Sequence, residues 1–167
     1  MIYLRILLEA VLYLFGQVYV FQNLMLAEMA VPKPFLVFIL FLPMRLPTPV
    51  GLVFSFLFGL ALDIFIQPFG AHAFACVLLF YVRGYWANAV SSSTIYDTEE
   101  VLDLGLEARS FSWLLSYLLP LVFLYELVYN ILSDYTLSLR GLMEVGSSGL
   151  YTLLLALALG LIIYRKH

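Results

Sequence analysis

The stretch AEMAVPKPFLVFILFLPMRLPTP, residues 27–49, decides how many times this chain crosses a membrane. Five of the seven prolines fall within it, at Pro32, Pro34, Pro43, Pro47 and Pro49. Pro34–Met44 alone would make about 16 Å of helix, well short of a bilayer core of about 30 Å. A helix that starts near Ala27 and runs to Met44 is long enough, because proline is tolerated in a first turn and in membrane helices generally. The competing reading is a re-entrant half-helix. Loop charge favours the full span. With six spans and an inner N-terminus, Arg5, Arg45, Arg83, Arg109, Arg165 and Lys166 fall inside and only Lys33 and Arg140 outside. That is the positive-inside pattern. Re-entry would reverse every later loop and turn the bias against that rule.

Outward from this stretch, apolar runs of spanning length cover residues 2–21, 50–66, 71–88, 110–131 and 146–164. The first exceeds the h-region of a signal peptide and lacks a small-x-small cleavage site, so it reads as a retained helix. Composition agrees with this count. Of 167 residues 64% are hydrophobic and 11% charged, and mean hydropathy is +1.02. A soluble chain this small could not hide that much apolar surface from water. Net charge −3 provides no basic footprint for nucleic acid, and Cys76, the only cysteine, excludes an internal disulfide and a thiolate metal cluster. The expected fold is an all-α six-helix transmembrane bundle, one polytopic domain with both termini cytoplasmic. Tyr85, Trp86, Trp113 and Tyr164 fall at the proposed inner helix ends, where such rings prefer the interface. Residues 91–109, with five acids, form an acidic cytoplasmic loop: a solvated linker or a docking strip, with a helix start signalled at Thr98.

Helices in lipid associate through small residues and interhelical hydrogen bonds. Two four-residue repeats supply such faces: Gly51, Ser55, Gly59 and Asp63 on the third span, and Ser148, Thr152, Ala156 and Gly160 on the last. Each could receive an internal helix or a helix of another protein. Pro120 leaves the Ser116 carbonyl without its helical donor and predicts a kink. Ionisable groups in lipid call for partners. Arg5, Glu9 and Arg83 are expected to share one depth as a structural ion pair. Asp63, His72 and Glu126 could converge at the outer face as a polar cup for a ligand, although Asp63 could instead cap the turn that follows it. No paired-histidine spacing, nucleophile elbow or phosphate loop is present, so no catalytic residue, metal or cofactor is assigned.

Residues 32–84 resemble a bacterial family, the rod-shape-determining membrane protein MreD. The likeness lies in the proline-flanked second segment, then Gly59-Leu60-Ala61-Leu62-Asp63, Phe69-Gly70, and an apolar helix ending Phe80-Tyr81-Val82-Arg83-Gly84. Gly59, Asp63 and Gly70 fall on the family's most recognisable marks. The acidic loop departs from the pattern, and the second half of the chain matches in hydropathy alone. The resemblance implies a non-enzymatic scaffold of the wall-elongation machinery in the bacterial inner membrane. Its partner would be a single-span protein such as MreC and, through it, RodA, a penicillin-binding transpeptidase and MreB. It also implies a six-helix arrangement similar to the substrate-binding subunits of energy-coupling-factor transporters. A small-molecule-binding transporter subunit with a periplasmic polar pocket is therefore the second expectation.

Overall fold

A computed structural model describes residues 2–24, 30–43, 46–66, 70–90, 111–134 and 138–164. Among the described residues six α-helices follow one another: α1 Ile2–Phe15, α2 Phe35–Leu40, α3 Thr48–Ile66, α4 Ala71–Val90, α5 Phe111–Asp134 and α6 Leu139–Tyr164. α1 continues through a π turn at Gly16–Val20 and a 3-10 turn at Phe21–Asn23. Five of these rods are long and apolar enough to cross a membrane. The chain has the architecture of a multi-pass membrane protein. The acidic segment and its proposed helix start at Thr98 lie outside the described residues.

The second segment departs from expectation. There is no helix from Ala30 to Lys33, and the one that follows has six residues, about 9 Å. The expected full-length helix over 27–44 is thus corrected to a short helix led by extended chain. Prolines 32 and 34 explain the late start, since neither can donate to a preceding turn. Pro43 explains the early end, because the Ile39 carbonyl four residues back meets a nitrogen without hydrogen.

This segment nevertheless passes from one end of the bundle to the other. The Gln17 side chain reaches the Pro32 carbonyl and the Tyr13 ring stacks on Phe38, so α1 and residues 32–38 run antiparallel. Lys33 meets Glu126 near the end of α5, whereas Leu40 meets Tyr117 nine positions earlier on that helix. Leu42 lies beside Arg83, and α3 then starts at that level with Gly51 against Phe80. Ile2 and Tyr164, the outermost described residues of α1 and α6, lie at the Arg83 end. Val90 and Phe111, which flank the acidic segment, lie at that end as well.

α2 fills the centre. Phe35, Leu36 and Ile39 have no accessible surface, and Leu40 and Val37 have almost none. Around α2 pack Phe58 and Leu62 of α3, Cys76 and Leu79 of α4, and Leu118, Leu121 and Tyr125 of α5. Large apolar side chains point outward instead on the long helices, among them Leu8 and Leu12 of α1, Ile64 of α3 and Leu154 of α6. Non-helical backbone survives at this depth only because protein surrounds it.

Candidate functional site

Gly59, Asp63 and Gly70 build one structural device. Gly70 takes a positive φ of 82°, a conformation other residues rarely adopt, and turns the chain into α4. Its carbonyl accepts the first bond of that helix, from Phe74 N, so Gly70 sits at the N-cap without a side chain to cap it. Asp63 does that work from the preceding helix. One carboxylate oxygen accepts from His72 N and the other from Ala73 N, both at 2.9 Å. The cap requires the helices to touch, and Gly59 permits this one turn earlier. A Cβ there would lie 2.6 Å from both Ala73 Cα and the His72 carbonyl oxygen. Gly51 plays the same part farther down, where a Cβ would strike the Phe80 ring. Ser55 is fully buried between them. The whole α3 strip is therefore occupied by α4 of the same chain and is closed to a partner helix.

The last-helix strip is also internal, and its polar members have a specific task. The extended chain ahead of α2 has backbone groups that no helix satisfies. Ser148 Oγ accepts from Val31 N at 3.2 Å, Thr152 Oγ1 accepts from Lys33 N at 3.0 Å, and Gln17 Nε2 donates to the Pro32 carbonyl at 3.2 Å. Ala156 is buried below them. Gly160 lies in α6, but its surroundings are outside the described residues.

Around this pinned segment lies a polar cluster at the His72 end. Lys33, counted from sequence as an outer-loop cation, turns inward and is only 6% exposed. Its Nζ donates to Glu126 Oε2 at 2.5 Å and lies 4.6 Å from the centroid of the Tyr129 ring and 5.9 Å from that of Tyr125. His72 Nδ1 is hydrogen-bonded to the Tyr125 hydroxyl, and its ring stacks on Tyr129 at 4.4 Å. Asp63, His72 and Glu126 thus come to one end of the bundle, as expected. They do not form an open cup: Asp63 is spent on backbone, His72 on Tyr125, and Glu126 on Lys33. Among the described residues no three His, Cys, Asp or Glu side chains gather as metal ligands. Lys33 escaped the sequence reading because a basic residue between two prolines has the signature of a loop.

The expected Arg5, Glu9 and Arg83 set is corrected. Arg5 Nε and Glu9 Oε1 do pair, at 2.7 Å, on an exposed helix face. Arg83 belongs elsewhere. It is 2% exposed, with the Phe80 ring 4.1 Å from its guanidinium carbon. One of its terminal nitrogens donates to the carbonyls of Ile39 at 2.8 Å, Leu40 at 3.2 Å and Leu42 at 2.8 Å. Tyr117 OH donates to Leu40 as well, at 3.0 Å. The cation replaces the donor that Pro43 withholds, a role that charge spacing alone could not reveal. A parallel repair serves Pro120: Trp86 Nε1 donates to the orphaned Ser116 carbonyl at 3.1 Å. The orphan was legible in the sequence and its donor was not.

Comparison with protein-family models, with curated proteins and with solved structures gives no match to this chain.

Proposed function

We propose that this chain is a non-enzymatic membrane scaffold, similar in role to MreD, that holds a single-span partner such as MreC in the wall-elongation machinery of a bacterial inner membrane. In this reading the Arg83 end, with both termini and the flanks of the acidic segment, faces the cytoplasm, and the His72 end faces outward. The observation that carries it is the assembly of Gly59, Asp63 and Gly70, the residues of the resemblance, into one rigid hairpin lock rather than a ligand site. The filled centre supports it further. α2 fills the bundle with apolar side chains, and Lys33 neutralises Glu126, one of the three side chains from which a polar cup would have been built.

The described members of both small-residue strips are consumed inside the bundle, so in this reading a partner helix meets outward surfaces. Photo-crosslinking in native membranes tests this. Probes at Leu12, Ile64 and Leu154, outward on three different helices, should yield an adduct with one single-span protein from at least one position. Probes at Ser55 and Ala156, both buried, should yield none. A chain that gives no protein adduct from any outward position would refute the scaffold.

A further inference from the structure

The surroundings of Lys33 Nζ are those by which proteins recognise a free ammonium ion: a desolvated carboxylate and aromatic faces. Here the carboxylate is Glu126, itself 2% exposed, and the faces are those of Tyr129 and Tyr125. We propose that this seat is a receptor for a primary alkylammonium whose resident ligand is the chain's own Lys33, and that it binds a free amine once the lysine stem is removed.

Three features support this. The backbone that carries Lys33 does not depend on the lysine side chain for its position, because Ser148, Thr152 and Gln17 hold Val31, Pro32 and Lys33 beside the seat. Its aromatic wall is likewise held from elsewhere, by stacking of His72 on Tyr129 and the bond from Tyr125 to His72. Finally, Lys33 Nζ meets Glu126 through Oε2 alone and does not engage the buried Oε1. A tethered ammonium reaches only one carboxylate oxygen, whereas an untethered one can turn a second N–H toward the other. Lys33→Ala deletes Cγ, Cδ, Cε and Nζ, which together have the size and charge of n-propylammonium. That ion is the predicted best fit. Tetramethylammonium has no N–H to give the carboxylate and should bind far less well.

The test uses the full chain in nanodiscs. Lys33→Ala should melt below wild type, and n-propylammonium chloride should raise its Tm saturably, by about 3–5 °C at tenfold the Kd. Equal sodium chloride should not do so, wild type should not respond, and Lys33→Ala/Glu126→Gln should lose the response. A Lys33→Ala protein that responds to propylammonium no more than to sodium would overturn the proposal, as would an undiminished response in the double variant. A second measurement needs no lysine variant. Acylation of Lys33 in folded wild type should be at least about tenfold slower than in the detergent-unfolded chain, and Glu126→Gln should speed it. Equal rates in folded and unfolded wild type would overturn the proposal independently.

Discussion

Replacing Arg83 by methionine should be among the most damaging single changes in this bundle, for a reason that can be isolated. Methionine keeps an unbranched apolar side chain but removes the guanidinium, and with it the contact to the Phe80 ring and all three donations to the end of α2. The Leu40 carbonyl keeps the Tyr117 hydroxyl, but the Ile39 and Leu42 carbonyls lose the donor that holds them. An unsatisfied buried carbonyl costs about 1–3 kcal/mol, so two cost about 2–6 kcal/mol. Relief from burying a cation offsets part of this, and the net loss should be about 3 kcal/mol. For a chain of this size that lowers Tm by about 6–12 °C. Tyr117→Phe alone should cost about 1 kcal/mol or less, because Leu40 retains its 3.2 Å bond from Arg83. The two changes should be more than additive, by about 1 kcal/mol, since only together do they remove both side-chain donors from Leu40. Equilibrium unfolding of the four proteins in one lipid composition measures the cycle. Additivity within about 0.5 kcal/mol, or an Arg83→Met loss below about 1 kcal/mol, would refute the idea that this cation serves as the cap of α2.

Two further outcomes follow from the hairpin lock and the kink. Gly59→Leu should prevent stable folding, because its first carbon already meets backbone atoms that cannot rotate away, whereas Asp63→Asn should cost only about 1–2 kcal/mol, as one carboxamide oxygen still accepts a backbone N–H. Folded yield in membranes and Tm distinguish them; an Asp63→Asn protein as unstable as Asp63→Ala would show that the charge, not the cap, matters. Trp86→Phe should cost about 1 kcal/mol in the native chain and almost nothing beside Pro120→Ala, whose restored N–H can serve the Ser116 carbonyl; equal cost in both backgrounds by unfolding titration would exclude that bond as the repair.

Sequence and structure divide the credit by the range of the physics involved. Hydropathy and span length are properties of contiguous residues, and the five long rods were legible for that reason. So was the local conflict at Pro120, where a missing N–H identifies an orphaned carbonyl four residues back. The charge pattern, by contrast, placed Lys33 at an outer surface that it does not occupy. Gly59, Asp63 and Gly70 stood out as a pattern, and capping was among the readings of Asp63, but neither the atoms it caps nor the contact at Gly59 could be read from spacing.

Residues 2–21 to 146–164 thus announced by themselves a membrane chain of several apolar rods, because the cost of exposing such surface to water is a sum over side chains. Tertiary structure alone decided that residues 35–40 become a central plug, that Arg83 closes its end, and that Lys33 turns inward to Glu126. Those outcomes depend on which helix brings a donor or acceptor within about 3 Å of an unsatisfied group. That proximity is created by packing between segments up to 119 positions apart, and no local pattern encodes it.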